Sequence, residues 1–476
     1  MNKSDFDRLL HPWKPAASKT YVFTNANVID PVDGKVLPQC TVRMARGVIQ
    51  SVGPTTAATT ATIGSQLHGT ENCQVLPTRP ASSTSLSSSS NENVTLVDLQ
   101  GRYLCPGLID NHVHLVSVPG ANGLSETFKL TPDQSKMRQS WKCKQILSRG
   151  FTSVRDCGGA SLALKQAIAE GVFPGPRLFI AGQALSQTGG HADLRSGLEA
   201  ADCCCGATYG VQLGVISDGV PQCLKNARDQ FRTGADFLKI MASGGVASPT
   251  DALTNVQFTP EEIQAITSVA RSYKSFATAH AYTIETVRQA IDNGVKSIEH
   301  GNMIDEDTAR YMAENDVFLT PTLIAYSEMA NPRWGSFLPP ENARKNEAVL
   351  NAGFESLRIA SRAGVTMCYG TDLLGPLDIA QTKEFMLRAQ VLSPTAILQS
   401  ATINPARLLG KADVLGQIRR GFTADALILT KNPLEDISVL DDPEHNLLAV
   451  IKDGHVQASR WSKLPVDFHE PMIPIE

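Results

Sequence analysis

Eight short apolar runs recur between Leu108 and Asp372, most of them with a polar residue at or near the carboxyl end, and no other feature limits the fold as tightly. They are Leu108–His114, Thr152–Asp156, Arg177–Ala181, Phe237–Met241, Ser275–His280, Ser297–His300, Val317–Thr320 and Thr366–Asp372. Strands that alternate with amphipathic helices mark parallel βα units, and eight such units close a (β/α)8 barrel. Pro260–Ser272 and Glu285–Asn293 are two of the expected helices, the second ending in an Asn293-Gly294 pair suited to a helix terminus. At 476 residues the chain exceeds one ordinary core and accommodates a barrel plus a second, smaller domain.

The smaller domain is expected from both chain ends. Tyr21–Asp30, Thr41–Met44, Val48–Val52 and Val94–Leu99 have the composition and rhythm of strands, and strand signals return at Ala426–Leu429 and Val450–Val456 after the barrel pattern stops near Pro405. From about Gly53 to Asn93 a Thr-, Ala- and Ser-rich excursion interrupts them. Such a segment buries too little apolar surface to offset its ordering entropy, so it is expected to be exposed, partly disordered and without a catalytic part. The resulting expectation is an α/β chain: residues 106–404 form a (β/α)8 TIM barrel, and residues 1–105, with the insertion at about 54–93, join residues 405–476 in a small β-sandwich.

A net charge of −4 leaves no electrostatic footprint for nucleic acid or an anionic membrane, so a small-molecule substrate is expected. Met1 to Thr20 lacks the apolar core of a secretory signal, and no run is long enough to span a bilayer; a cytoplasmic protein is expected. Ten cysteines scattered over so long a chain read as reduced thiols. Cys203-Cys204-Cys205 lacks the spacing by which two thiolates converge on one ion, and reads as an irregular loop.

Barrel active sites lie at the carboxyl ends of the strands. There the sequence places His112 and His114, two residues apart and so on one strand face, then Lys239, His280, His300 and Asp372. Histidine offers a borderline nitrogen donor and a carboxylate a hard oxygen, the donor set of a divalent metal site. Alone, the His112/His114 pair would read equally well as two satisfied core histidines. Lys239 shares a strand face with Phe237 and Met241, where an unpaired ammonium is costly and a neutral amine can take up carbon dioxide as a carbamate. The competing reading is a lysine that snorkels to the barrel rim.

PGLIDNHVH, the lysine of DFLKIMASGG, TAHAY, IEHG and YGTD, in this order, resemble the amidohydrolase superfamily. TGGHAD and KIMASGGVASPTD are most similar to its branch of Xaa-Pro dipeptidases, carboxypeptidase-like amidohydrolases and ochratoxinase-like enzymes. The resemblance spans Thr20 to Trp461 outside the insertion. It implies two divalent metals, with zinc the expected identity: His112, His114 and Asp372 on one, His280 and His300 on the other, and a carbamate on Lys239 bridging them. A bridging hydroxide would attack an amide carbonyl, Asp372 would move the proton, and His191 would stabilise the oxyanion unless it is a loop histidine with a structural partner. Arg155 would bind a substrate carboxylate or form a structural salt bridge, Tyr282 would contact substrate, and the Ser243-Gly244-Gly245 turn could offer N–H groups.

The segment between Asp193 and Asp218 is expected to wall the pocket. The implied function is a binuclear zinc amidohydrolase, carboxypeptidase- or dipeptidase-like, acting on N-acyl amino acids or dipeptides, with ochratoxin-A-type amides in range and a homo-oligomeric assembly. Two readings compete. A mononuclear imidazolonepropionase- or deaminase-like enzyme generally lacks the strand-four lysine, and a non-catalytic scaffold barrel is at odds with six filled ligand positions.

Overall fold

The structure, a computed structural model, describes residues 3–14, 19–55, 73–76, 94–198 and 213–467. The run Cys203-Cys204-Cys205 lies outside the described residues, as does most of the Ser/Thr-rich excursion. Within that excursion, however, Cys73–Leu76 forms a strand paired antiparallel with Val94–Asp98.

The barrel strands run parallel: Leu108–Val113, Phe151–Asp156, Arg177–Ile180 continued by Ala184–Ser186, Leu238–Met241, Ala277–Thr283, Ser297–Met303 and Phe318–Thr320. The third is broken where the chain turns through Gly182 at φ 69°, and the backbone bonds Ala181 N to Asp156 O (3.0 Å) and Asp236 N to Ile180 O (2.7 Å) carry it across the break. The eighth position, residues 366–372, is extended but not a regular strand, because its backbone bonds are divided among three partners. Cys368 N donates to Leu319 O (2.8 Å), Tyr369 N to Ser400 O (2.6 Å), and Asp372 N to His112 O (2.8 Å), which links the last strand to the first.

Helices pack outside this ring for reasons visible in their sequences. In Pro260–Ser272 the Thr259 hydroxyl accepts from Glu262 N while the Glu262 carboxylate accepts from Thr259 N, and Pro260 needs no N–H partner in the first turn. Ile263, Ile266, Val269 and Ala270 recur at helical spacing and are buried against the barrel, each larger side chain contributing about 1.5–3 kcal/mol. Ile284–Asp292 follows the same logic and ends at Asn293.

Strands from both ends of the chain meet in one nine-stranded sheet. Ala426–Leu429 pairs antiparallel with Tyr103–Pro106 on one side and Leu447–Lys452 on the other, and Thr20–Asp30 pairs with Lys35–Ala45. The sheet bends back on itself, since Val48 bridges Thr423, and closes over its own apolar core of Phe23, Val42, Met44, Leu104 and Ile451. Among the described residues no helix is long and apolar enough to cross a membrane, and Cys40, Cys105, Cys143, Cys157, Cys223 and Cys368 are free and buried.

Candidate metal centre

At the carboxyl ends of the strands His112, His114, Lys239, His280, His300 and Asp372 line one cavity together with His191 and Tyr282. The first strand delivers His112 and His114, whose Nε2 atoms both face the Asp372 carboxylate, at 3.5 and 3.2 Å from Oδ1. Their other nitrogens are occupied: Nδ1 of His112 donates to Glu299 Oε2 (2.8 Å) and Nδ1 of His114 to the Gly158 carbonyl (2.9 Å). These partners orient both rings and leave Nε2 as the free donor atom, the usual arrangement behind a metal-ligating histidine. Gly370 permits the close approach of the eighth strand, since a Cβ there would lie 2.9 Å from His112 Cβ and 2.3 Å from Thr320 Cγ2.

The second corner is held differently. His280 donates through Nε2 to the Gly244 carbonyl (3.1 Å), leaving Nδ1 free. His300 Nδ1 is hydrogen-bonded to both Thr322 Oγ1 (2.7 Å) and Tyr326 Oη (2.8 Å), leaving Nε2. The two rings are 4.6 Å apart, and His300 lies 5.1 Å from His112. Side-chain alternation would send His300 outward next to inward-facing Glu299, but His300 adopts φ 76° and turns back into the cavity; Asp372 does likewise at φ 51°. Such left-handed conformations cost about 1–3 kcal/mol each and collect at functional sites.

The electrostatics suit cation binding. Burial alone would raise the Asp372 carboxyl, but His112, His114 and His300 hold it well below the usual carboxylate range. Burial lowers His112 to about 4 and takes His280 and His300 well below the ordinary imidazole value, so these rings are neutral and able to ligate. His114 is raised: burial, the largest single influence, opposes this, but the hydrogen bond and charge of Asp372, the charge of Asp156 and the Gly158 carbonyl together outweigh it. Lys239 is 1% exposed and has no hydrogen-bond or ion-pair partner among the described residues. Ligand atoms of His112, His300 and Asp372 all lie within 4.8 Å of one another. Free imidazole nitrogens converging on an ionised carboxylate, beside a buried amine with nothing to bind, fit divalent metal.

At two positions that the sequence left open, the structure favours the structural reading. Arg155 does not reach the cavity: it is wholly buried beneath it, donating to the Asn111 carbonyl (2.6 Å) and pairing with Glu299, which is also wholly buried. A guanidinium committed to an inward ion pair is not available to a substrate carboxylate. The Ser243-Gly244-Gly245 turn also points its groups elsewhere, since Gly245 N donates to Asp251 Oδ2 (3.2 Å) and Gly244 contributes a carbonyl rather than an N–H. Tyr282 is 2% exposed, with its hydroxyl 2.9 Å from that of Tyr326. His191 stacks on His280 with ring centroids 4.1 Å apart.

Glu299 is the functional residue that sequence reasoning passed over. Burial opposes its ionisation, but Arg155 and His112 hold its carboxyl well below the usual range, and Thr278 donates a further short hydrogen bond. It therefore aims His112 with a full charge behind it. The available signal was its position immediately before His300 in the sixth strand, an acid within an apolar run.

Residues 103–456 match the model of the amidohydrolase family. The chain is 32% identical to the ochratoxinase of Aspergillus niger over 353 residues, covering 72% of this chain and 73% of that one. Among solved structures, a prolidase complexed with N-methylphosphonate-L-proline is 35% identical with a TM-score of 0.81, the alignment covering 93% of this chain and 100% of the prolidase. A Xaa-Pro dipeptidase with methionine bound in its active site is 29% identical with a TM-score of 0.76, covering 92% and 99%. The fold, the strand-end ligand cluster and these similarities together lead to one conclusion: the chain belongs to the amidohydrolase family and is a hydrolase of amide or peptide bonds.

Proposed function

We propose that the protein is a binuclear, zinc-dependent amidohydrolase that cleaves the C–N bond of N-acyl amino acids or dipeptides, with ochratoxin-A-type amides within its range. The observation that carries this reading is Lys239. It is buried and unpartnered and opens into the cavity that five other candidate ligands share. A single-metal site has no use for such a group, whereas a carbamate, made when the amine forms a bond to the carbon of carbon dioxide and sheds a proton, offers two oxygens to two cations. In this reading His112, His114 and Asp372 hold one ion, and His280 and His300 hold the other.

Divalent metals, when bound, supply an ionised water at neutral pH and polarise the scissile carbonyl. The chain's own groups do the rest. Asp372 is kept ionised by the histidines around it, so it can take a proton on a carboxylate oxygen and return it to the departing amine nitrogen. His191 and Tyr282 line the cavity on the side of the second corner and orient the substrate. Phe128, Leu194, Val246 and Met329 give the remaining wall an apolar surface that excludes water around the reacting carbonyl. A homo-oligomer belongs to the same reading.

Metal analysis of the purified protein, coupled to a screen of Xaa-Pro dipeptides, N-acyl amino acids including ochratoxin A, lactams and amino-heterocycles, tests the proposal. Two metals per chain and release of an amino acid are expected. One metal per chain, or ammonia as the product, overturns it.

A further inference from the structure

Beneath His191 lies a chain of buried polar groups that the proposed hydrolysis does not use. Nδ1 of His191 is 2.7 Å from the Ser248 hydroxyl, Ser248 donates a short hydrogen bond to Asp251 Oδ1, and both Ser248 and Asp251 are buried. Asp251 is surrounded by donors: Gly245 N at 3.2 Å and Gln257 Nε2 at 3.0 Å on Oδ2, and the Lys345 ammonium 3.5 Å from Oδ1. Gln257 also accepts from His191 N (3.0 Å) through its Oε1, so the same amide ties the histidine's backbone to the carboxylate. The ring itself is held between two surfaces. His280 stacks on one face, and a Cβ at Gly245 would fall 2.0–2.4 Å from three of its atoms, so only glycine leaves room for it there.

The proton inventory of this chain has one solution. A carboxylate that already receives three other donors has no proton to give, and the Gly245 carbonyl, the other acceptor near the Ser248 hydroxyl, lies farther off at 3.4 Å, so the single hydroxyl proton of Ser248 goes to Asp251. Towards His191 the serine then presents only a lone pair, and Nδ1 must carry a proton. The other ring nitrogen, Nε2, has no hydrogen-bond partner among the described residues, and the ring lines the cavity. We propose that Ser248 and Asp251 are positioning residues that clamp His191 as its Nδ1–H tautomer, so that the neutral ring meets the substrate with the Nε2 lone pair. His191 thus presents a hydrogen-bond acceptor to the substrate at Nε2 rather than an N–H donor. Ser248 and Asp251 belong to the motif KIMASGGVASPTD, which gives that conspicuous stretch beyond Lys239 a purpose.

The inference rests on the proposed hydrolase reading only for its kinetic consequence, and the test separates the two. In metal-loaded protein with 15N-labelled histidine, the His191 signals, assigned with His191→Asn, are expected to show a protonated Nδ1 and an unprotonated Nε2. Ser248→Ala should lose that signature and Ser248→Thr should keep it. With a cleaved amide substrate, Ser248→Ala and Asp251→Asn should each lower kcat about 10- to 100-fold at unchanged metal content, a range typical of partners that orient a functional side chain. Ser248→Thr should recover most of the rate, and Ser248→Ala should add nothing in a His191→Asn background. An Nε2–H tautomer in the parent protein, a signature that survives Ser248→Ala, or additive losses in the double variant overturns the clamp. If no amide is cleaved, the hydrolase reading fails, and the nitrogen spectrum still decides the clamp.

Discussion

The two corners of the metal centre are built on different principles. His112 and His114 face a carboxylate within 3.2–3.5 Å, and each ring is steered from behind, by Glu299 on the sixth strand and by the Gly158 carbonyl just beyond the second. This corner balances its charge from the protein alone. His280 and His300 are steered by a turn carbonyl and two hydroxyls, have no carboxylate of their own, and share the cavity with the unpartnered Lys239. In the proposed reading the second corner is completed by a charge that the polypeptide does not encode, the carbamate on Lys239, so that cation binding there would depend on chemistry at one amine, while at the first corner it would depend on packing.

The sharpest way to break this contrast is Lys239→Ala, for which we expect turnover to fall by about three orders of magnitude, on the scale of losing a major electrostatic group. Metal content should drop by about half, from the second corner, as measured by elemental analysis. Full retention of metal would mean that the two corners do not differ. Next in size, Asp372→Asn should cost roughly 10²- to 10³-fold in kcat through loss of the proton acceptor, with a smaller loss of metal. If metal loss accounts for the whole effect, Asp372 is only a ligand.

Glu299→Gln tests whether the first corner really rests on its hidden partner. Metal affinity should weaken about 10- to 100-fold. The Arg155 guanidinium would be left buried beside a neutral amide, which should also lower unfolding stability by about 3 kcal/mol, read by denaturant titration. The smallest effect is on metal-free protein. His112, His280 and His300 are lowered in the fold, so the unfolded chain binds more protons than the native one below its ordinary histidine value of 6.5. Stability should therefore be full above about pH 6.5 and decline by several degrees of Tm as pH falls towards 4, the native value of His112. His114, raised, works in the opposite sense but is outnumbered. A flat profile between these limits would show that the rings are not held neutral.

What the sequence made legible follows from the range of the forces involved. Helix Pro260–Ser272 appears residue for residue as read, because its proline and its apolar spacing lie within its own thirteen residues and its cap, Thr259, immediately precedes them. The strand-end positions of His112, His114, Lys239, His280, His300 and Asp372 were equally legible, since each needs only its own apolar run. Arg155 and Glu299 were not: each is a charge in a strand, and only the folded barrel reveals that they meet inside it, 144 residues apart in sequence. The break in the third strand and the shared hydrogen bonds of residues 366–372 likewise depend on contacts distant in sequence. Ser248 and Asp251 stood within a conspicuous motif, but their object, His191, lies 57 residues before the serine and becomes adjacent only when the loops fold over the barrel mouth.

The pairing of Tyr103–Pro106 with Ala426–Leu429 has a consequence for synthesis. A ribosome makes His112 and His114, on the strand that leaves this sheet through Gly107, well before the neighbour that secures the sheet at that point. Asp372, their counter-charge, also follows them at a distance. While the intervening barrel is being made, the nascent chain thus carries two histidines with no carboxylate to face and an open sheet edge beside them, so it should depend on chaperone cover or slow release more than a barrel held by local contacts alone.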